Sequence, residues 1–464
     1  MPQRRNVVVI NSDSFRRDNL TAYGGTEAIT PNLDALAGRS VVFEEAYCGS
    51  YPTLPNRTDV FLGTWTFPNS HWEPLARDEP CLAGVLSDAG ISTFFELDCP
   101  HMVNEGRHYE RGFKVWRWVR GQEIDAVAPP SLVKQMELDG EIGKIRAPAI
   151  KTQIHIANRR YLKIVNEQDY FMAQVARHAV DDLEFIEPGE QFFMWVDMFD
   201  PHEPFDAPRR YFDLYYPGYK GPIYANPIYG RSNVYSKSEL RAIRAAYLGE
   251  ATMVDHWIGY LLTSLKSMGL EENTVVIFTS DHGLNTGDHG WTGKNCSPFY
   301  SNIARVPLFI STPETRAKGR PSRVSLAVQP VDLMPTILDV MGVRRPRQWR
   351  GEGVSLAPLL EGKSIQTRDV AVTGMYPGVW GADERYTPLR VSTKEWALIF
   401  PRDFQDLSVR PMLFNQIDDP GENVNLISRN MKTATQLYEQ YREFYQAYSK
   451  TGGTPPVRPP DSFL

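Results

Sequence analysis

The sequence lacks the features that would mark a secreted, membrane-spanning or nucleic-acid-binding protein. Its four cysteines in 464 residues show neither metal-site nor disulfide-framework spacing. No apolar run approaches the roughly 18 residues of a membrane span, and the run at 6–10 is too short for a secretory signal. The formal net charge is −6, so no broad basic field attracts nucleic acid or anionic lipid. We therefore predict a cytoplasmic protein with neither a nucleic-acid nor a membrane partner.

What the sequence does contain is a series of β-branched runs that end in polar residues and alternate with helical patterns. The predicted strands lie at 6–10, 40–46, 91–97, 191–197, 274–280 and 306–310. Strands that alternate with helices predict an α/β fold in which helices sandwich a large, mostly parallel sheet.

The character of the chain changes near residue 381. Residues 386–401 and 412–415 alternate like antiparallel strands, and 430–448 has a helical pattern. We predict a catalytic α/β domain over 1–380 and a small C-terminal α+β subdomain over 381–464. The Pro-rich end leaves open an exchanged arm and therefore a homo-oligomer.

Metal-ligating residue types follow three of the predicted strands. Asp13 follows the first strand, Asp281 and His282 follow the strand at 274–280, and Thr53 follows the strand at 40–46. In open α/β sheets, ligands bind beyond the carboxyl ends of strands. Two carboxylates, an imidazole and an alkoxide suit Mn²⁺, Fe²⁺ or Zn²⁺ better than Ca²⁺, which prefers oxygen alone. We predict one divalent ion, Mn²⁺ first.

The stretch TLPNR (53–57) places a hydroxyl at a turn into a helix, four residues before Arg57. An activated hydroxyl at a helix N-terminus can attack a phosphoryl or sulfuryl centre. Lys294, His202 and Arg57 are candidates to bind the anion's oxygens. The same pattern is also common in ordinary loops, so the prediction depends on Asp13 and Asp281.

The substrate-binding candidates His71 and Asn69 lie in the aromatic segment 65–72. Either His71 or His202 would protonate the leaving oxygen. The segments 113–118 and 207–236 are also aromatic, so they line a pocket or simply pack. Residues 106–148 show no clear periodicity and are interpreted as insertions over the site.

With these motifs in place, the chain resembles the sulfatase family of the alkaline phosphatase superfamily. The matching stretches include NSD (11–13), PHEPF (201–205), DHGLNTGDHG (281–290) with Lys294, and LFNQIDDPGENVNL (413–426). The resemblance implies that Asp13, Asp281 and His282 bind the metal and that position 53 is the nucleophile. It implies contact between the anion and the side chains of Arg57, His202 and Lys294.

The departures from the family pattern concern the nucleophile. Family sulfatases carry Cys or Ser at position 53 and convert it to formylglycine, whereas a threonine cannot give that aldehyde. Ser14 also replaces one acid of the family's Ca²⁺ site. The resulting pattern is similar to the phosphonate monoester hydrolase and phosphodiesterase members of the superfamily. No formylglycine is therefore expected.

Four functions stay open at this point. A phospho-threonine is open to attack by water at phosphorus, so Thr53 favours hydrolysis of phosphodiesters or phosphonate monoesters. The alternatives are a sulfatase that works without formylglycine, a phosphoryl-group transferase and a non-catalytic relative. Because the ligand set is intact, the non-catalytic relative is disfavoured. The expected partner is a small anionic ester.

Overall fold

A computed structural model of the chain describes residues 5–136, 149–294, 297–377, 387–401, 410–452 and 454–456. The β-strands are β1 (Asn6–Ser12), β2 (Val41–Phe43), β3 (Ser92–Leu97), β4 (Val115–Trp118), β5 (Phe192–Met198), β6 (Gly230–Arg231), β7 (Thr274–Thr279), β8 (Asn285–Thr286), β9 (Trp291–Gly293), β10 (Leu308–Ser311), β11 (Ser322–Val324), β12 (Ala371–Gly374), β13 (Leu389–Ser392), β14 (Trp396–Phe400) and β15 (Met412–Asn415). The α-helices are α1 (Pro31–Ala37), α2 (Thr53–Leu62), α3 (Leu82–Asp88), α4 (Pro130–Gln135), α5 (Ala149–Tyr161), α6 (Phe171–Leu183), α7 (Arg209–Asp213), α8 (Lys237–Ser267), α9 (Ser301–Ala304), α10 (Pro313–Lys318), α11 (Leu333–Met341), α12 (Ala357–Leu360) and α13 (Met431–Tyr448).

The main sheet has eight strands in the order β11-β2-β10-β7-β1-β5-β3-β4. All of its pairings are parallel except those of β10, which runs antiparallel to both β2 and β7. The predicted large, mostly parallel sheet is therefore confirmed. One detail differs: β4 is an edge strand of this sheet, although the sequence placed its residues in an insertion over the site.

The two faces of the sheet carry separate cores because successive strand residues point in opposite directions. Val7 and Val9 of β1 pack in one core with α2, α3 and α11. Val8 and Ile10 pack in the other with α1, α6 and α8. The uninterrupted apolar runs of these strands follow from this burial on both faces.

A second, antiparallel sheet (β12-β13-β14-β15) is covered by α13, as the helical and alternating patterns near the C-terminus predicted. Trp65 and Phe67 pack into the same core as α13, which ties this small sheet to the chain just after α2. Its first strand, β12, precedes residue 381, so the sheet includes residues that the sequence assigned to the first domain. The division at 380/381 itself stays a prediction.

No helix in the described ranges is both long and apolar enough to cross a membrane.

Candidate active site

The ends of the central strands β1 and β7 bring three buried potential metal ligands together. Ligand atoms of Asp13, Asp281 and His282 all lie within 4.8 Å of one another. Backbone contacts hold the two strand ends in place, because the Ser14 N–H donates to Asp281 Oδ1 at 3.0 Å and the Phe15 N–H to Ser280 Oγ at 2.9 Å. Within the described residues this is the one such cluster, and we call it, with Thr53 and Lys294, the floor.

The His282 ring is oriented as a metal-binding imidazole. Its Nδ1 lies 3.0 Å from the Gly283 carbonyl oxygen, to which it donates its proton. Nε2 therefore carries the lone pair and lies 3.4 Å from Asp281 Oδ2. Burial and the ammonium of Lys294 hold the pKa of His282 well below its usual range, so the ring is neutral.

The two carboxylates of the cluster carry charge that the site's own cations only partly compensate. Burial and the nearby Asp13 raise the pKa of Asp281 to about 7. The pKa of Asp13 is lowered instead: burial opposes its charged form, but Lys294 and Arg57 outweigh burial. Asp13 Oδ2 makes no hydrogen bond to the described residues, although it lies 3.2 Å from Arg57 Nη2. An unbonded buried carboxylate oxygen beside an acceptor imidazole fits a divalent cation.

Arg57 lies beneath the cluster and orients its carboxylates. Its Nε and Nη2 donate to the two oxygens of Asp197 at 3.0 and 2.7 Å. Its Nη1 donates to Asp281 Oδ2 at 2.6 Å and to the Thr53 carbonyl oxygen at 3.3 Å. These acceptors take four of the five N–H groups of the guanidinium, and Nη2 also forms an ion pair with Asp13. The Arg57 side chain is 1% exposed and, among the described residues, does not line the cavity beside Thr53. Its contact with the substrate anion stays a prediction.

Thr53 is the first residue of α2, so the predicted turn is already part of the helix. The Asn56 side chain donates to the Asp281 carbonyl oxygen at 3.0 Å, which fastens the first turn of α2 to the end of β7. Thr53 lines a cavity of ≈ 290 Å³. The free N–H groups of the helix N-terminus favour an anion at this point.

His202 and Lys294, which the sequence predicted to bind the anion, line the same cavity. The Lys294 ammonium lies 3.2 Å from Ser14 Oγ and 3.6 Å from Asp13 Oδ1. His202 donates from Nδ1 to the Glu203 carbonyl oxygen at 2.5 Å, which leaves Nε2 as its acceptor nitrogen. Burial and Lys294 lower the pKa of His202, so its ring is neutral near pH 7.

The structure does not bring His71 and Asn69 into this cavity. Asn69 donates to the carbonyl oxygens of Trp65 and Tyr448 at 3.2 and 3.0 Å and accepts the Lys450 N–H at 2.6 Å. Both candidates line a neighbouring depression between the α2 side of the chain and the end of α13. Asn69 therefore holds this junction together, and its role in substrate binding stays a prediction.

Ten further residues line the cavity, and we call four of them, none singled out by the sequence, the outer wall: Trp72, His101, Glu123 and Lys151. Glu123 connects two of the others, because its Oε1 lies 2.6 Å from Lys151 Nζ and its Oε2 lies 3.0 Å from His101 Nε2. Burial opposes the charged form of Glu123, but His101 and Lys151 outweigh it and lower its pKa. The backbone of Glu123 is left-handed, with φ 47°, a strained conformation that clusters at functional sites. No periodic pattern signalled these residues; the hints were the aromatic segment 65–72, which contains Trp72, and the interpretation of 106–148, which contains Glu123, as insertions over the site.

Two models of known protein families match most of the chain. A family model described as Sulfatase matches residues 5–343. The chain belongs to the sulfatase family. A second model, described as N-sulphoglucosamine sulphohydrolase, C-terminal, matches residues 287–447. As a member of this family the chain is a hydrolase that acts on ester bonds, and family members bind a divalent metal ion.

Individual relatives extend over nearly all of the chain. It is 26% identical over 477 residues to an arylsulfatase of Clostridium perfringens, covering 91% of this chain and 90% of that protein. It is 23% identical over 504 residues to an N-acetylglucosamine-6-O-sulfatase of Bacteroides thetaiotaomicron, covering 96% and 87%. Its fold resembles that of a phosphonate monoester hydrolase of Agrobacterium radiobacter, with a TM-score of 0.72, 21% identity and 96% of each chain covered. The two sulfatase relatives support sulfate esters as substrates better than the phosphodiesters that the sequence placed first.

Proposed function

We propose that this sulfatase-family chain hydrolyses sulfate esters, with the Thr53 hydroxyl as nucleophile. The observation that carries the proposal is the position of Thr53 at the start of α2, in one cavity with His202 and Lys294. The sulfatase relatives that match nearly the whole chain support sulfate as the group that the floor binds. Lys294 and the N-terminus of α2 provide positive potential for its oxygens.

The chain's own residues account for the proton movements of such a reaction. The Thr53 oxygen attacks sulfur while its proton passes to Nε2 of His202. The sulfur–oxygen bond to the alcohol breaks, and His202 returns the proton to the departing oxygen. Water then attacks the sulfur of the sulfo-threonine, which releases hydrogen sulfate and restores the hydroxyl. A divalent ion held by Asp13, Asp281 and His282 would supply positive charge at the reacting oxygens.

The metal itself is proposed to be Mn²⁺. The cluster offers two carboxylates and one neutral imidazole, a mixed oxygen and nitrogen set that Ca²⁺ does not prefer. Zn²⁺ and Fe²⁺ suit the same ligands. Metal analysis of the purified chain, followed by chelation and return of each ion, identifies the one that restores activity.

The second candidate is hydrolysis of phosphodiesters or phosphonate monoesters, and the identity of residue 53 favours it. A threonine cannot form an aldehyde hydrate, so its ester must be cleaved by water at the central atom. Attack by water on a phosphate ester at phosphorus is the chemistry of many metal-assisted hydrolases. The same residues would take the same roles in this reaction.

The test compares 4-nitrophenyl sulfate with bis(4-nitrophenyl) phosphate on the full chain loaded with Mn²⁺. We expect faster sulfate turnover, and we expect Thr53→Ala to lose on the order of 10³-fold or more in kcat, as enzymes do without their nucleophile. Thr53→Ser retains part of the activity because it keeps a hydroxyl. Quenched reactions should show one sulfo group on the α2 peptide.

Thr263→Ala, on the exposed side of α8, is the matched control and should leave kcat unchanged. Faster diester turnover would favour the second candidate. Full activity of Thr53→Ala would rule out Thr53 as the nucleophile in both candidate reactions.

A further inference from the structure

The outer wall is the part of the cavity that neither the metal nor the reacting group needs. Its members lie on four separate segments. Trp72 follows α2, His101 follows β3 and Glu123 lies in the irregular stretch before α4. Lys151 comes from the first turn of α5. Since the floor receives the sulfate, the outer wall faces the alcohol part of the ester. The inference drawn from it therefore rests on the proposed function.

The hydrogen-bonding capacity of Glu123 and Lys151 limits what can bind against them. An ammonium has three N–H donors, and one of those on Lys151 is directed at Glu123. A carboxylate has about four acceptor positions, of which Lys151 and His101 take two on Glu123. The Glu123 side chain is 3% exposed and that of Lys151 is 40% exposed. The wall therefore has donors and acceptors left for a ligand.

Simple aryl or alkyl leaving groups fit this wall poorly. They would remove water from Lys151 and Glu123 and give no hydrogen bond in return, which is costly for charged groups. A second anionic group fits poorly as well, because both cations beside the wall already have carboxylate partners: Lys151 is paired with Glu123, and Arg107 lies 3.7 Å from Glu105. A cationic group would in turn compete with Lys151 for the same carboxylate.

Neutral hydroxyl groups satisfy both members of the pair at once, because a hydroxyl can donate to Glu123 and accept from Lys151. The ring of Trp72 supplies an apolar face beside them. The volume of ≈ 290 Å³ is at the small end of ligand pockets and must hold the sulfate as well. We propose that the alcohol part of the substrate is a single polyhydroxylated ring, which Glu123 and Lys151 select by its hydroxyl groups.

The helix that carries Lys151 is fixed in place, as a selective wall requires. Lys151, His155 and Arg159 follow one another at intervals of four residues and therefore lie on one face of α5. His155 Nε2 and Arg159 Nη1 contact the same oxygen of Asp206 at 2.8 and 2.7 Å. Asp206 lies in the loop that also carries His202, so α5 and the reacting end of the cavity share one support.

The experiment measures kcat/KM for 4-nitrophenyl sulfate and for two sugar sulfates, glucose 6-sulfate and N-acetylglucosamine 6-sulfate. The wild-type chain should prefer at least one sugar sulfate. Glu123→Gln and Lys151→Met should each lower kcat/KM for that sugar about 10- to 100-fold, mainly through KM, as expected for a lost hydrogen bond to a charged group. The aryl ester should change less than threefold.

Glu184→Gln and Lys134→Met are matched controls at exposed positions outside the cavity and should leave both rates unchanged. Equal losses on sugar and aryl esters, or a wild-type preference for the aryl ester, would overturn the proposal. Lys151 is partly exposed, so its variant still gives a result if Glu123→Gln fails to fold.

A binding measurement separates this inference from the proposed function. Thr53→Ala protein is titrated by calorimetry with the desulfated sugars and with 4-nitrophenol, with and without Lys151→Met. Sugar binding that the second substitution weakens supports the wall even if no sulfate ester is hydrolysed. Tighter binding of the phenol overturns it, whatever the chain hydrolyses.

Discussion

In the floor of the cavity, Asp13, Asp281 and His282 come from the ends of adjacent parallel strands, whereas Glu123 and Lys151 of the outer wall come from an irregular segment and the first turn of α5. In the floor, Asp281 is held by backbone donors and by Arg57, all of them buried. In the outer wall, Glu123 is buried but Lys151 is partly exposed. Because the floor's charged groups are buried against one another, changes there should affect both catalysis and folding. Changes in the wall should affect the choice of substrate.

The largest expected effect is on catalysis and follows substitution of a floor ligand. Asp281→Asn removes a ligand charge from the buried cluster, and we expect kcat/KM to fall on the order of 10³-fold or more for every ester. Metal content, measured on the same sample by mass spectrometry, should fall with it. Asp339→Asn, at a half-exposed position on α11, is the control. Retention of a tenth of the activity with a full complement of metal would contradict the assignment of Asp281 as a ligand.

The next effect separates the two regions by stability. Arg57→Met leaves Asp197 and Asp281 without their buried cation, and breaking such a pair costs about 3–5 kcal/mol in the free energy of unfolding. Lys151→Met breaks a partly exposed pair and should cost about 1 kcal/mol or less. Urea unfolding of both variants at pH 7 measures the difference. Similar losses would show that the two regions are equally involved in folding.

The smallest effect concerns the support of the wall and depends on pH. Burial opposes the charged form of Asp206, but Arg159 and His155 outweigh it and lower its pKa from 3.8 to about 2. The carboxylate therefore stabilises the folded state above about pH 4, and this contribution is lost as the pH falls toward 2. Between about pH 4 and pH 2, the free energy of unfolding of Asp206→Asn should therefore fall by about 2 kcal/mol less than that of the wild type.

Urea titrations at pH 5, 4, 3 and 2 follow that change, with Asp213→Asn, at a partly exposed position on α7, as the control. Parallel curves for wild type and Asp206→Asn would mean that the carboxylate is not paired as the structure shows. The kcat of the variant on the aryl ester should stay within about threefold of wild type, since Asp206 lies outside the floor.

The sequence predicted most of the floor because its signal is local. Asp13 and Asp281 directly follow β-branched runs that are buried on both faces, and β1 pairs with β7 in the sheet. Parallel strands place their carboxyl ends at one edge, so strand ends far apart in sequence converge without further information. The fold class depended on the same runs and was predicted for the same reason.

The role of Arg57 and the outer wall needed information that no local pattern contains. The direction of the Arg57 side chain depends on Asp197, 140 residues away. The position of Glu123 depends on a left-handed backbone and on Lys151, which lies 28 residues later in α5. Asn69 is held by the end of α13 at the far end of the chain. Each depends on a tertiary contact between segments whose own patterns indicate only loop or helix.

The two contacts of α5 with Asp206 in the 200–206 loop have a consequence for how the substrate preference of this protein could evolve. One helix face fixes both the selective lysine and the anchor next to His202, while the strand ends that form the floor make no use of that face. Glu123 and Lys151, in the described stretches 119–136 and 149–161, therefore form a part of the cavity that can vary separately from the floor. Substitutions in these two stretches, with the Asp206 anchor kept, should change the preference for the alcohol and leave the reacting centre intact.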